Sequence, residues 1–234
     1  MYTEIIFDLF HTLISPEDFW PADYSRERAV AQVLGIDDAF LAEYWNGPGR
    51  SRYLSRPVVD LLRDVAHRAD VAVADESLAG ALEMYGRYHD DALTAPRTDV
   101  VRGLEALREA GYRLALLSNA DDREVSGWPT SPLSELIPIA GFSYRIGAAK
   151  PDPEAYRAVL DQLGNDPRSV IFVGDGGSQE FEGARRAGIE KIVCVTGFGT
   201  DNGLRTHRAI ERAAARADAV VSSVADLPSI IPGL

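Results

Sequence analysis

Polar residues that can do chemistry stand directly after short apolar runs of this sequence. Asp8 follows residues 5–7, Ser118 and Asn119 follow residues 114–117, and Asp175 follows residues 170–173 after one glycine. Carboxylates can attack an electrophilic centre or hold a divalent cation, and hydroxyl or amide groups can bind substrate oxygens. Taken singly these are weak signals, because an aspartate after a buried strand is usually a helix cap or a turn former.

The apolar runs predict the strands that would position these side chains. Two further runs occur at residues 192–195 and 219–221, and segments with helical spacing occupy residues 100–110 and 155–163. Alternating strands and helices favour an α/β fold with an open parallel sheet and right-handed crossovers. Such a sheet binds ligands at the carboxyl ends of its strands, where these polar residues would lie.

Residues 15–96 break this alternation. Four segments within them look helical, at residues 24–34, 38–45, 57–68 and 75–91, and no convincing strand lies among them. The pattern predicts a helical cap formed by residues 15–96, inserted into a core formed by residues 1–14 and 97–234. Because the insertion begins soon after Asp8, we expect it to form a lid over that end of the sheet.

The composition favours a folded protein that acts on small molecules. The 234 residues are 46% hydrophobic, and 24 Lys+Arg against 36 Asp+Glu give a net charge of −12. An acidic chain is a poor partner for the phosphate backbone of a nucleic acid, so we expect no nucleic-acid partner. The single cysteine, the absence of a basic leader and the absence of an apolar run of bilayer length predict a cytoplasmic protein with no membrane partner, either a monomer or a homodimer.

Four short motifs occur in order along the chain. They read IIFDLFHTL at residues 5–13, LSN at 117–119, KPDP at 150–153 and GDGGSQEFEGA at 174–184. Together they make essentially the whole chain resemble the haloacid dehalogenase superfamily of aspartate-nucleophile hydrolases, and the helical insertion matches that family's cap between its first and second motifs. The resemblance implies an α/β fold, with a Rossmann-like parallel sheet core and an inserted helical cap subdomain.

The resemblance also implies a nucleophile and a metal site. Asp8 would attack the substrate to form a covalent aspartyl intermediate, which water then hydrolyses. A phosphate substrate would need Mg²⁺ to offset the repulsion between the two anions, and Asp8, the backbone carbonyl of Phe10 and Asp175 would hold the ion. Glu180 stands at the family's second acidic position in the fourth motif, where the usual residue is the shorter aspartate. It would orient a metal-bound water or Lys150.

Further motif residues have expected roles around the substrate. Lys150 would neutralise the developing charge, and the Ser118 hydroxyl would bind oxygens of the transferring group. Thr12 would position Asp8, although threonine is equally a good helix N-cap. Asn119 would lie on the substrate side or form a turn. Three other aspartates are expected in exposed loops or helix caps with no catalytic role, namely Asp121, Asp122 and Asp152.

Phe10 departs from the family pattern. Two residues after the nucleophile, the family's phosphatases carry a second aspartate that protonates the leaving oxygen, a contribution of about 10²–10⁴-fold. Phenylalanine cannot do this, and the superfamily's dehalogenases, which need no metal, place tyrosine there. Those dehalogenases commonly replace the residue corresponding to Asp175 with serine, however, and a carboxylate beside Asp8 would repel the nucleophile unless a cation were present. The fourth motif therefore favours Mg²⁺ and phosphate.

Other side chains could contribute to substrate binding. His11 stands where the family usually has glycine, and its imidazole could carry a proton or contact the substrate. Adjacent residues of an extended segment face opposite ways, which would turn His11 away from the leaving group. In the cap, Arg50, Arg52 and Arg56 lie close in sequence. We expect Arg50 and Arg52 to bind a substrate carboxylate or phosphate, the alternative being surface salt bridges.

The sequence as a whole predicts a Mg²⁺-dependent phosphatase that acts on a small phosphorylated metabolite through an aspartyl-phosphate on Asp8. Because residue 10 provides no proton donor, good leaving groups such as aryl or acyl phosphates should react far better than alkyl phosphates. Two alternatives stay open. One is metal-free hydrolysis of a 2-haloacid, and the other is a binding protein on the same fold whose chemistry Phe10 has weakened.

Overall fold

A single parallel sheet organises the protein. The computed structural model describes residues 2–54, 56–201, 203 and 205–234, without the side chains of Ser51 and Arg52. Its strands are β1 (Glu4–Phe7), β2 (Arg113–Ser118), β3 (Ile139–Phe142), β4 (Val170–Gly174), β5 (Lys191–Val195) and β6 (Ala219–Val221). Across the described residues the sheet has the order β3-β2-β1-β4-β5-β6, and every strand pairing is parallel.

Helices of very different length connect the strands. In chain order they are α1 (Arg26–Leu34), α2 (Asp38–Asn46), α3 (Val58–Arg68), α4 (Asp75–Thr94), α5 (Thr98–Glu109), α6 (Pro132–Leu136), α7 (Ser143–Ile146), α8 (Pro153–Leu163), α9 (Glu180–Arg186), α10 (Gly197–Asp201), α11 (His207–Ala214) and α12 (Leu227–Ile230). No helix among the described residues is long and apolar enough to span a lipid bilayer.

Alternate residues of the central strand β1 pack on opposite faces of the sheet. Ile5 and Phe7 join an apolar cluster with residues of α5, while Ile6 joins a second cluster with residues of α8 and α9. All three side chains are fully buried, and burial of such a side chain contributes about 1.5–3 kcal/mol. This two-sided packing fixes β1, and with it the residue that follows the strand.

The predicted α/β class and parallel sheet are confirmed, and the sequence missed one strand. β3 contains Gly141 and no sustained apolar run, so it carries no clear strand signal. A Cβ atom at Gly141 would lie 2.5 Å from Cγ2 of Val159 in α8. Glycine therefore allows the close approach of α8 to this edge of the sheet.

The predicted helical insertion is present as α1 to α4, which we call the cap helices. They share an apolar cluster of their own, separate from the two clusters on the sheet, which includes Val30, Leu41, Leu62 and Tyr85. Ser25 and Asp37 cap α1 and α2 by accepting backbone N–H bonds. The boundaries at residues 14/15 and 96/97 stay a prediction.

Candidate active site

Asp8 lies at the carboxyl end of the central strand, and both of its carboxylate oxygens have hydrogen-bond donors. Its backbone N–H donates to the Val173 carbonyl at 2.8 Å, which continues the β1–β4 ladder. Thr12 Oγ1 donates to Oδ2 at 3.1 Å, and Lys150 Nζ donates to Oδ1. The residue is only 6% exposed, so the carboxylate is held in one orientation at the edge of the sheet. Thr12 therefore contacts Asp8 and caps no helix of the described structure, and its role in positioning the nucleophile stays a prediction.

Lys150 bridges two carboxylates. Besides Asp8, its Nζ donates to Glu180 Oε2 at 2.7 Å, and the lysine side chain is almost completely buried. Burial alone would lower the pKa of Lys150, but the negative charges of Asp8 and Glu180 outweigh it and raise that pKa above its ordinary value. Lys150 therefore stays a cation at neutral pH. Burial raises the pKa of the Glu180 carboxyl above its ordinary value, and the attraction of Lys150 opposes this rise.

Asp175 brings a third carboxylate close to Asp8. One oxygen each of Asp8, Asp175 and Glu180 lies within 4.8 Å of the other two. Burial, and then repulsion from Asp8, raises the pKa of Asp175 above its ordinary value. A cluster of hard oxygen donors with excess negative charge is the donor set that Mg²⁺ prefers, so these residues fit the predicted ion. That the backbone carbonyl of Phe10 is a further ligand of the ion stays a prediction.

Arg205 also contacts Asp175 and was not predicted from the sequence. Its Nη2 lies 2.7 Å from Asp175 Oδ2, and its Nη1 donates to the Asp175 backbone carbonyl at 2.6 Å. The other carboxylate oxygen of Asp175 accepts the Gly177 N–H at 2.8 Å. Arg205 lies in a loop thirty residues after Asp175 and belongs to no motif, so no sequence signal could have identified it.

The fourth motif needs glycine at two positions for Glu180 to reach the site. A Cβ atom at Gly174 would lie 2.2 Å from Glu180 Oε1. Gly176 has a φ of 81°, a left-handed conformation that side chains disfavour, and its N–H donates to Glu180 Oε1 at 2.8 Å. The turn therefore folds the longer glutamate back over the strand end, where its carboxylate meets Lys150.

The second motif positions the third. Asn119 Oδ1 accepts the Lys150 N–H at 2.7 Å, and its Nδ2 donates to the Lys150 carbonyl at 2.8 Å. Asn119 also lines the catalytic cavity described below, but its amide is engaged with Lys150 rather than free for substrate. The Ser118 hydroxyl is fully buried and has no hydrogen-bond partner among the described residues. Its predicted contact with the transferring group stays a prediction.

Phe10 and His11 lie together on the wall of the site. Residue 11 has a φ of 60°, so the backbone is not extended there and the expected opposite orientation of the two side chains does not apply. His11 Nε2 lies 3.0 Å from Glu17 Oε2, and its Nδ1 lies 3.8 Å from Asp175 Oδ2. Burial lowers the pKa of His11, but the neighbouring carboxylates, Glu17 foremost, give a net increase. The Phe10 ring meets the His89 ring edge-on at 5.5 Å between centroids.

These groups enclose a catalytic cavity of about 230 Å³, whose lining includes Asp8, Phe10, His11, Lys150, Asp175 and Arg205. A larger cavity of about 600 Å³ adjoins it, sharing Asn119, Lys150 and Ser178, and carries Arg50 on its wall. Arg50 thus lies on the approach to the site. The Arg52 side chain lies outside the described residues. Arg56 lies 3.7 Å from Asp64, as expected for a surface salt bridge.

The segment after the second motif corrects one prediction. Asp121, expected in an exposed loop or cap, is fully buried, because its carboxylate accepts the Tyr85 hydroxyl of α4 at 2.5 Å and the N–H groups of residues 123 and 124. Asp122 is half-buried and accepts the first N–H of α3 from Val58 at 3.0 Å. These aspartates attach the cap helices to the core. Asp152 caps α8, as predicted.

Comparison with known proteins agrees with the fold and the motifs. The family model for haloacid dehalogenase-like hydrolases matches residues 4–188. A phosphoglycolate phosphatase of Cupriavidus necator is 30% identical over 183 residues, which cover 76% of this chain and 75% of that protein.

Solved structures of two kinds share the architecture. A 2-haloacid dehalogenase from Pseudomonas syringae superposes with a TM-score of 0.68 at 22% identity, covering 100% of this chain and 99% of that one. A HAD phosphatase from Thermococcus onnurineus superposes with a TM-score of 0.65 at 21% identity, covering 99% and 98%. These structures support the fold, and the family match over most of the chain supports its class. The chain belongs to the haloacid dehalogenase-like hydrolase family.

Proposed function

We propose that this hydrolase is a Mg²⁺-dependent phosphatase that acts on a small phosphorylated metabolite through an aspartyl-phosphate on Asp8. The observation that carries the proposal is the Asp8 carboxylate, held by Thr12 and Lys150 within 4.8 Å of two further carboxylates. A dehalogenase that needs no cation has no use for this excess of negative charge next to its nucleophile. The phosphatase named among the relatives also supports the proposal.

The reaction would take place in two steps. The Asp8 carboxylate attacks phosphorus, and the bond between phosphorus and the alcohol oxygen breaks as the aspartyl-phosphate forms. Water then attacks phosphorus and breaks the acyl-phosphate bond, which releases inorganic phosphate and restores the Asp8 carboxylate. Lys150 holds Asp8 in position in both steps and, as a cation, offsets the charge that accumulates around phosphorus.

Asp8, Asp175 and Glu180 would hold the Mg²⁺ ion. When bound, the ion would neutralise the negative charge shared by substrate and nucleophile. Arg205 has a related effect on its own side of the cluster, because its guanidinium binds Asp175 directly. Both cations reduce the repulsion that a phosphate dianion would otherwise meet at this site.

The leaving alcohol receives no proton from residue 10. Phe10 lines the catalytic cavity and has no proton to donate, so the alkoxide would leave without help from this position. Esters of acidic alcohols, including aryl phosphates, are therefore the substrates that this site would hydrolyse fastest. We place the enzyme in the cytoplasm, as a monomer or a homodimer that acts on small molecules.

Parallel assays on the purified full chain test the proposal. Phosphate release from p-nitrophenyl phosphate should require Mg²⁺, stop with a chelator and fall by at least about 10³-fold in Asp8→Asn. Halide release from 2-chloropropionate without metal would instead establish the dehalogenase alternative. No turnover in either assay, with ligand binding retained in Asp8→Asn, would establish the binding protein.

A further inference from the structure

A second cavity lies on the other side of Phe10 and His11. It has a volume of about 200 Å³ and lies between the cap helices and the segment that follows β1. Phe10 and His11 line both this space, which we call the cap cavity, and the catalytic cavity. The two cavities thus meet at Phe10, the position at which the family's phosphatases carry a proton donor for the leaving group. With about 30 Å³ for each water-sized group, the cap cavity accommodates a small alcohol.

Carboxylates dominate the charge of the cap cavity. Glu17, Glu27 and Glu124 line it, and among the residues that the structure describes Arg26 is the only lysine or arginine that does. Arg26 Nη1 donates to Glu124 at 3.0 Å, and its guanidinium lies 4.6 Å from the centroid of the Tyr85 ring. Arg26 Nε also lies 3.9 Å from Glu27 Oε1, so this one positive charge is shared between two carboxylates and can balance only one of them.

His11 and His89 also line the cap cavity, and they do not make its net charge positive. Burial lowers the pKa of His89 to about 4, so it is neutral at pH 7. Burial is the largest single effect on Glu17 and raises its pKa, but the hydrogen bonds with His11 and Ser15 and the charge of His11 together lower that pKa to about 2. Even if His11 carries a full positive charge, the three carboxylates outnumber the two cations within the described part of the lining. The remaining lining includes the aromatic rings of Phe10, Trp20 and Tyr53.

The cavity of about 600 Å³ that carries Arg50 has the reverse character. Its lining carries Arg50 and Lys150 and includes no aspartate or glutamate among the described residues. Arg50 and Leu54 are exposed at its mouth. A phosphate dianion would approach Asp8 through this positive space, which leaves the negatively charged cap cavity for the rest of the molecule.

We propose that the cap cavity receives the leaving alcohol of the phosphate ester and selects against an alcohol that carries a negative charge. This inference rests on the proposed phosphatase function and names its substrate class, phosphate monoesters with an uncharged or cationic alcohol. Phosphoglycolate, whose alcohol carries a carboxylate, belongs to the excluded class. One added negative charge at about 6 Å from an unbalanced carboxylate weakens binding by roughly tenfold at an effective dielectric constant of about 40.

Competition among three two-carbon phosphate esters tests the inference. The full chain hydrolyses p-nitrophenyl phosphate with Mg²⁺, and 2-aminoethyl, 2-hydroxyethyl and carboxymethyl phosphate compete with this reporter. The three alcohols are similar in size and differ in charge, and inhibition constants report binding even where turnover is slow. We expect the carboxymethyl ester to bind about tenfold more weakly than the other two. Equal or tighter binding of the carboxymethyl ester overturns the inference while the phosphatase function stands.

A charge-removing variant locates the effect. Glu27 is partly exposed and does not line the catalytic cavity, so the Glu27→Gln variant should fold. It should bind carboxymethyl phosphate about threefold to tenfold more tightly than the wild type does, while binding of the hydroxyethyl ester changes little. Glu43→Gln makes the same change at an exposed site of α2 outside the cap cavity and should change neither. An identical response of the two variants contradicts the inference. If the wild-type chain does not hydrolyse the reporter at all, the proposed function fails and the inference fails with it.

Discussion

The catalytic cavity and the cap cavity share Phe10 and His11 but are built in different ways. In the catalytic cavity, Asp8 and Asp175 follow strands whose positions the two-sided core fixes, and Lys150 is held by Asn119, which follows β2. The cap cavity is assembled from separate elements, because its walls come from the segment after β1, from α1 and α4 of the cap helices, and from the loop after the second motif. Its shape therefore depends on how the cap helices are attached to the core.

That attachment is polar and is concentrated in residues 121–124. Besides the two aspartates, Arg123 Nη2 lies 2.6 Å from Asp90 Oδ2 of α4, and Glu124 pairs with Arg26 of α1 at 3.0 Å. The four residues follow directly after Ser118, Asn119 and Ala120, so the loop that positions Lys150 through Asn119 also anchors the cap helices. Changes to the catalytic cavity should thus alter the chemical step, whereas changes to this attachment should alter stability and selectivity.

After Asp8→Asn, the largest effect should come from Lys150→Ala. Removal of this buried cation leaves Asp8 and Glu180 without their shared donor, and kcat for p-nitrophenyl phosphate should fall about 10²–10³-fold. The relative inhibition constants of the three two-carbon esters should stay unchanged, because the groups that differ in charge would bind in the cap cavity. Lys191→Ala, at the start of β5, removes the other lysine of the chain as a control. A loss below tenfold in Lys150→Ala would contradict the role of this residue.

Phe10→Asp tests the wall between the cavities. It introduces the acidic residue that the family's phosphatases carry, and hydrolysis of 2-hydroxyethyl phosphate should increase by about tenfold or more while hydrolysis of the aryl ester changes less. Phe10→Leu keeps the wall apolar and should leave the ratio of alkyl to aryl rates as in the wild type. An unchanged ratio in Phe10→Asp would mean that another group already supplies the proton.

Acid should destabilise the attachment through His89. The folded-state pKa of about 4 lies below the ordinary value of 6.5 because the imidazole is buried. The unfolded chain therefore binds the proton more readily, and this contribution to stability is complete above pH 6.5 and is lost as the pH falls towards 4. Urea unfolding at pH 7 and pH 5 should differ by about 2 kcal/mol on account of this residue.

Two histidine variants isolate that contribution. In His89→Gln the difference in unfolding free energy between pH 7 and pH 5 should shrink by about the same 2 kcal/mol. His67→Gln removes an exposed imidazole of α3 and should leave the difference as it is in the wild type. If both variants retain the full pH dependence, a group other than His89 takes up the proton when the chain unfolds.

The sequence predicts the sheet, and the place of the motif residues in it, because both depend on local signals; the roles of these residues stay predictions. Asp8, Ser118 and Asp175 follow apolar runs that form neighbouring parallel strands, so the sheet topology alone brings them to one edge. The cap cavity has no comparable signal. Arg26 and Glu124 are far apart in sequence and meet only when the cap helices dock, and the burial of Asp121 depends on Tyr85 in another element.

His11 shows a second limit of prediction from sequence. The alternation of side chains assumes an extended backbone, and the left-handed conformation at this residue removes that assumption. Its contacts with Glu17 and Asp175 come from the turn after β1 and could not be predicted from residue types. Local conformation therefore decided which cavities this side chain lines.

The smallest effect should come from Tyr85→Phe. This variant weakens the attachment of the cap helices to the core and leaves the catalytic cavity unchanged. Tyr85 donates to Asp121 of the core at 2.5 Å, whereas Tyr44 of α2 donates to Asp64 of α3 at 2.7 Å within the cap helices. Tyr44→Phe is thus a matched control, and each variant should lower the free energy of unfolding by about 1 kcal/mol. Only Tyr85→Phe loosens the contact between cap helices and core, so only this variant should reduce the preference for uncharged over anionic esters, by about twofold to threefold. Equal selectivity in the two variants would show that the cap cavity keeps its shape without this bond.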